Sequence, residues 1–332
     1  MGSRHSRHEQ ARFSFARNGS PRKSYDSDRR KSAEEKVNGR DHAYRQENPK
    51  FTIPENTQGI PRLEVQHYLM RYLYQGNFSS PRGALNAEGS RILDLGCGAG
   101  TWAIEVAKEF PNCEVTGVDI SAYFPINHDT PNVKFLEHNF QECNRLPFDD
   151  NTFDLVHMRF LLADVKERDI ENALIPELVR VTKPNGWIEL LEFDIQHFSD
   201  GPTTRRLTNA LMRHLQSNGY NGQISDKLPQ YLKKTQQIDV VNQYDKAITL
   251  GRWAGKVGEL AIDDISRLFS DNKELSRSMG ITDEEYQKLI EAYKQEVETK
   301  RTFFRTHRFY AQKIEKAPQP KSPTIVSYNH KV

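Results

Sequence analysis

Three glycines at alternate positions, Gly96, Gly98 and Gly100, stop a short apolar run, Arg91-Ile92-Leu93-Asp94-Leu95. That run has a strand's composition. An amphipathic helix follows at once, with Ala103, Val106, Ala107 and Phe110 at i, i+3, i+4 and i+7. A second apolar run, Val115 to Val118, then ends in Asp119. Strand, glycine turn, helix, strand and acid is the layout of a nucleotide-binding βαβ unit. Glycines let the backbone approach a ligand without Cβ clashes, and the acid can accept hydrogen bonds from both hydroxyls of a ribose.

The spacing discriminates between two uses of this layout. A dinucleotide fingerprint reads G-x-G-x-x-G and sets a helix N-terminus against a pyrophosphate. Here the glycines read G-x-G-x-G, and Asp94 stands two residues before the first of them. An acid there repels a pyrophosphate and suits a ligand that carries an ammonium group. S-adenosylmethionine has an ammonium, a carboxylate, a sulfonium and an adenosine, and no phosphate. A glycine turn with no ligand is the bland alternative, and the acid and the two strands weigh against it. The D-x-G-x-G-x-G pattern resembles motif I of class I S-adenosylmethionine-dependent methyltransferases, and Val118-Asp119-Ile120-Ser121 resembles the family's ribose-binding strand end.

Residues 1–50 differ in composition from the rest. They hold 13 Lys/Arg against 7 Asp/Glu and almost no aliphatic residues, whereas the remaining chain carries 34 basic and 38 acidic groups. A segment so poor in apolar surface cannot offset the entropy of ordering, so a disordered basic tail is expected over 1–50. It has no apolar core of the kind a secretory signal needs. Arg29-Arg30-Lys31-Ser32 is a candidate kinase site or nuclear-import patch, and the tail is a candidate contact for nucleic acid or an acidic protein surface. The three cysteines, Cys97, Cys113 and Cys143, form no C-x-x-C pair, so neither a disulfide framework nor a metal site is expected. No apolar stretch approaches the roughly 18 residues of a membrane span. These features point to the cytoplasm or nucleus.

Order is expected from Phe51. A helical stripe, Leu63, Gln66/His67, Met70 and Leu73/Tyr74, precedes the first strand. Further strands are expected at Val133 to Glu137, Phe153 to Met158, Trp187 to Phe193, Ile238 to Leu250 and in TFFRTHRFYAQKI near the end. Lys183-Pro184-Asn185-Gly186 reads as a turn that ends a helix before the fifth strand. Helices are expected at 202–235, 252–274 and 283–300, and residues 315–332 read as a flexible tail.

The segments Arg62-Leu63 and Gln66-His67, the core LGCGAGTWAIEVAKEFPNCEVTGVDIS, the FDLVHMR strand and GRWAGKVGELA together resemble the fungal LaeA-like methyltransferases over 51–313. The resemblance implies an α/β fold: a Rossmann-like, mostly parallel sheet of seven strands whose last strand is antiparallel. It implies a methyltransferase domain over 51–314, with a helical insertion at about 200–300 forming a lid. It further implies S-adenosylmethionine as cofactor, held by Asp94, Gly96, Cys97, Gly98, Gly100, Asp119 and Ile120. Asn139 and Phe140 would meet the adenine, although many relatives carry an aspartate where Asn139 stands.

Methyl transfer to a neutral oxygen or nitrogen needs a base. The candidates are His157 and Arg159 at the end of the fourth strand, with Asp164 beyond. Strict alternation along 153–159 puts His157 and Arg159 on one face with Phe153 and Leu155. His157 reads in the first place as a hydrogen-bonded residue beneath the cofactor, and Arg159 alternatively as a contact for an acidic substrate or for the lid. The absence of an N/D-P-P-Y/F/W sequence argues against nucleobase amino groups as acceptors. Three readings follow: an active methyltransferase with an unidentified acceptor, a regulatory protein that binds S-adenosylmethionine with little turnover, and a nicotinamide-dependent oxidoreductase, which the glycine spacing opposes.

Overall fold

In the computed structural model, the apolar runs form strands β1 (Arg91–Leu95), β2 (Glu114–Asp119), β3 (Val133–Glu137), β4 (Phe153–Arg159), β5 (Thr182–Phe198), β6 (Ile238–Thr249) and β7 (Phe303–Lys313). They make one seven-stranded sheet in the order β3-β2-β1-β4-β5-β7-β6. Strands β1 to β5 pair in parallel, and β7 runs antiparallel between β5 and β6. The structure describes residues 50–53, 61–85, 87–125, 127–161 and 164–315. The expected basic tail, its Arg29-Arg30-Lys31-Ser32 stretch and the expected C-terminal tail therefore lie outside the described residues, apart from Lys50 and Glu315.

Helices cover both faces of the sheet, as its apolar strands require. On one side α1 (Arg62–Tyr74) and α2 (Thr101–Glu109) precede and follow β1. Helix α2 buries Trp102, Ala103, Val106 and Ala107 against Ile92, Val115 and Leu155. On the other side α4 (Ile175–Val181) packs Ile175, Leu178 and Val179 with Leu93, Val156 and Met158. A short α3 (Phe140–Cys143) follows β3. Helices α5 (Pro202–Ser217) and α6 (Leu228–Lys234) lie between β5 and β6. Helices α7 (Gly255–Asp271), α8 (Lys273–Met279) and α9 (Asp283–Lys300) lie between β6 and β7.

Three local departures from the sequence expectations have a common physical basis in β5. Helix α4 ends at Val181, and the strand begins at Thr182 rather than after Gly186. The Lys183-Pro184-Asn185-Gly186 stretch lies inside its span as an irregularity, with Asn185 at φ 63°. Pairing with β4 jumps there from Phe153↔Thr182 to Leu155↔Trp187. On β4 the alternation breaks at the same place: Phe153 joins the core of Val156 and Met158, and Leu155 joins that of Trp102. Phe153 therefore does not share the face of His157, contrary to strict alternation. At its other end β5 runs on to Phe198.

The β5 extension carries a polar cluster. His307 on β7 donates from Nε2 to Asp194 Oδ2 (2.9 Å) and from Nδ1 to Asp245 Oδ1 (2.8 Å). Burial pulls its pKa down, but the hydrogen bonds to Asp194 and Asp245 outweigh this and raise it to about 9 from 6.5. Both ring nitrogens donate, so the ring is an imidazolium clamped between two carboxylates. A raised folded-state pKa contributes stability that is complete below pH 6.5 and is lost as the pH rises through about 9. The shift corresponds to roughly 3 kcal/mol. Urea denaturation at pH 6.5 and pH 10 should show His307→Gln well below wild type at the lower pH and nearly equal at the higher. A difference that does not change with pH would contradict this assignment.

Candidate cofactor and active site

The strand order reverses at β1, whose neighbours are β2 and β4. Ligands of open α/β sheets bind outside the carboxyl ends of the strands at such a reversal. The glycine turn sits there. Its first amides donate back to β2: Gly96 N and Cys97 N both reach Val118 O, at 2.8 and 3.1 Å. Gly98 N then donates to Asp119 Oδ2 (2.8 Å), and Ser121 N donates to Asp119 Oδ1 (3.0 Å). One carboxylate therefore fixes both the loop and the chain leaving β2.

Two of the glycines are required by geometry. Gly98 has φ 52°, and a Cβ there would meet Leu63 Cδ1 at 3.2 Å. Gly100 has φ 73°, and its Cβ would lie 2.5 Å from the Phe135 ring. Both occupy the left-handed region that side chains disfavour.

Above the loop opens a cavity of about 380 Å³, within the range of small-molecule sites. Its floor is Leu95 to Ala99, and Val118, Asp119 and Ile120 form one wall. His138, Asn139, Phe140 and Gln141 close the β3 side. Arg159, Phe160, Leu161, Asp164 and Val165 close the β4 side, and Leu63 and Gln66 of α1 overhang it. Of the sequence candidates, Gly96, Cys97, Gly98, Asp119, Ile120, Asn139, Phe140 and Arg159 thus meet around one space. Gly100 stands behind the loop against Phe135.

Asp94 and His157 lie beneath the cavity rather than in its wall. Asp94 is 2% exposed and accepts from His157 Nδ1 at 2.8 Å. The imidazole stacks on the Trp102 indole, with centroids 3.8 Å apart and planes 2° from parallel. Burial lowers the His157 pKa although the Asp94 bond opposes it, so His157 is neutral. The second carboxylate oxygen of Asp94, Oδ2, is buried without a hydrogen-bond partner among the described residues.

Arg159 donates from Nη1 to His67 Nδ1 on α1 (3.1 Å). Burial lowers its pKa to about 10, with Asp94 opposing the shift, so it stays charged at neutral pH. Asp164 faces the cavity with its pKa raised by burial and by the nearby Asp119 charge. The amide of Asn139 caps α3: Oδ1 accepts from Gln141 N (3.0 Å), and Nδ2 donates to Glu142 Oε1 (2.8 Å). One lone pair and one N–H of that amide are left for other partners. Burial also raises the Cys97 pKa, so this thiol is protonated and lines the wall inertly.

These residues fit S-adenosylmethionine. The glycine loop is a cradle that a Cβ would fill, Asp119 keeps lone pairs for ribose hydroxyls, and the orphaned Asp94 Oδ2 is an uncompensated acceptor whose cost a nearby cation reduces. Sequence reasoning missed His138, Gln141, Phe160, Leu161 and Val165. All lie within six residues of the ends of β3 and β4, so proximity to the strand ends is the signal. No residue of the 200–300 insertion borders the cavity. Asp264 of α7 instead holds Arg62 Nη1 (2.8 Å) and Gln66 Nε2 (3.0 Å), reaching the site through α1.

Gly98→Val should abolish binding of S-adenosylhomocysteine in isothermal titration, because its Cβ enters the cradle and its φ is strained. Retained affinity would place the ligand elsewhere.

Comparison with known proteins agrees with this geometry. Residues 92–186 match the family described as "Methyltransferase domain". The chain is 28% identical over 190 residues to methyltransferase str3 of Strobilurus tenacellus, covering 54% of this chain and 64% of that one. It is 32% identical over 160 residues to the secondary metabolism regulator laeA of Aspergillus niger, covering 48% and 40%. It is 29% identical over 201 residues to the protein-methionine methyltransferase laeA of Emericella nidulans, covering 60% and 50%. The match therefore spans less than two thirds of each of these relatives' own length. Residues 92–186 thus match a methyltransferase domain, within a chain that is similar to the fungal LaeA proteins.

Proposed function

We propose that this chain transfers a methyl group from S-adenosylmethionine to an acceptor that is a small molecule or a protein. The observation that carries the reading is the single carboxylate of Asp119, which anchors the glycine loop and faces the cavity at the sheet's reversal point. The cofactor supplies a methyl group already activated by a sulfonium leaving group. The chain's own contribution is then positioning and exclusion of water. Asp119 accepts from the ribose, Ile120 and Phe140 provide apolar walls for the adenine, and Asn139 offers its remaining amide valences to the adenine edge. Leu63 and Gln66 of α1 cover the opening. Asp164, with its raised pKa, is a better proton acceptor than an ordinary carboxylate and is the cavity group suited to deprotonate an acceptor.

A second reading is a regulatory protein that binds S-adenosylmethionine with little turnover. It is favoured by the state of the two strand-end candidates: His157 is neutral and enclosed beneath the loop, and Arg159 is a cation. The regulator name of the Aspergillus niger relative supports a role in secondary metabolism, and the name of the Emericella nidulans relative supports a protein acceptor. We assign the basic residues 1–50 to partner binding in the nucleus or cytoplasm, on the strength of their charge alone. Deletion of 1–50 should then change partner recovery or localisation, and unchanged behaviour in both would remove this role.

Methyl-tritiated S-adenosylmethionine incubated with cell extract and wild-type protein should label an acceptor, and Asp119→Ala should not label it at limiting cofactor. The same substitution should weaken S-adenosylhomocysteine by about 1.5–3 kcal/mol, the loss of a hydrogen bond to a charged group. Tight binding without label would select the regulatory reading, and binding of NAD alone would overturn both.

A further inference from the structure

The cavity has two electrical poles. Register places Leu95 of β1 beside Val118 of β2 and beside Met158 of β4. One residue further, the glycine turn at Gly96 is flanked by Asp119 on one side and Arg159 on the other. Adjacent strands stand about 4.8 Å apart, so these side chains root about 10 Å from each other across the turn. Among the described lining residues, Arg159 alone carries a permanent positive charge.

Among the described residues, the guanidinium is held from one side only. Its Nη1 donates to His67 Nδ1, and no other hydrogen bond joins it to a described residue. That bond requires His67 Nδ1 to be a bare acceptor, which places the ring proton on Nε2, where it is donated to Glu105 Oε2 at 2.9 Å. Burial, with Arg159 beside it, lowers the His67 pKa to about 2, so the ring is neutral and the tautomer is set. Glu105 is in turn fixed by Arg71 Nη1. The chain Arg71–Glu105–His67 thus orients Arg159 and leaves most of its five N–H donors for the cavity. A planar fork with free donors matches a carboxylate in bidentate fashion.

We propose that Arg159, oriented by His67, binds the carboxylate of the cofactor's methionyl end, so that helix α1 takes part in cofactor recognition. The ribose diol and that carboxylate lie at opposite ends of one chain of a 5′-carbon, a sulfur and three carbons, as Asp119 and Arg159 lie on opposite sides of the turn. Arg159 is the carboxylate-binding residue, and His67 is a positioning residue. This inference rests on the S-adenosylmethionine reading of the cavity.

The test is isothermal titration of the full chain with S-adenosylhomocysteine and with its decarboxylated analogue, which keeps the amine and lacks the carboxylate. Wild type should prefer S-adenosylhomocysteine by about 10- to 100-fold, the range for a charge-assisted hydrogen-bonded pair. Arg159→Met should erase the preference while binding the analogue as wild type does. Arg159→Lys, which keeps the charge and loses the fork, should reduce the preference and serves where the methionine variant does not fold. His67→Phe should also reduce it, and His67→Gln should restore it, because the amide oxygen can accept from Arg159 while the amide nitrogen donates to Glu105. An undiminished preference in Arg159→Met or Arg159→Lys overturns the proposal. Failure of wild type to bind either compound would instead overturn the S-adenosylmethionine reading on which it rests.

Discussion

A carboxylate in the middle of a parallel sheet is the constraint on which the site depends. Asp94 lies on β1 between two neighbours, and the β1–β4 register sets it opposite His157. An isolated charge at such depth is costly, and a neighbour must donate a hydrogen bond to it. A neutral imidazole meets that condition. Trp102 stacks on the ring and, through its own Nε1–H to Asn77 O (2.9 Å), ties α2 to the segment that leads from α1 into β1. Removal of either member of the pair would leave a polar group unpaired under the loop, where the surrounding core cannot supply water.

The same seam continues to the cavity. Asp94 supports the charge of Arg159 at the end of the next strand, Arg159 donates to His67, and His67 donates to Glu105 on α2. Sheet, α1 and α2 are therefore joined by alternating donors and acceptors whose protonation states fix one another. Two consequences follow for function. The overhang of α1 above the loop is set by polar geometry in addition to the burial of Leu69, Met70 and Leu73. The seam also leaves Asp94 Oδ2 buried without a hydrogen-bond partner among the described residues and brings Arg159 to the border of the cavity.

The parts of this structure that were legible in the sequence were those specified locally. The glycine turn, Asp119, the amphipathic α2 and the apolar runs of β1 to β4 each announce themselves within a few residues, because period and backbone conformation are local properties. What was not legible depends on distant partners. His67 reads as one position in a helical stripe, and its acceptor role exists only because Arg159 arrives from 92 positions away. Phe153 leaves the face predicted by alternation because β5 inserts extra residues at Lys183 to Gly186 opposite it. The extension of β5 past Phe193 was hidden because Asp194 is polar, and its place in the sheet becomes favourable only when His307 and Asp245 pair beside it.

Asn139 shows how folding and recognition divide one side chain. Helix α3 has only four residues, too few to satisfy its own terminal amides; Asn139 Oδ1 accepts from one of them, Gln141 N, while its Nδ2 donates to the Glu142 carboxylate. An aspartate could accept from Gln141 N but would repel Glu142, so the amide suits this particular turn. With half its valences committed, Asn139 has less to give an adenine edge than a free side chain would. With the adenine placed as proposed above, recognition of the base then falls more heavily on shape, through Ile120 and Phe140.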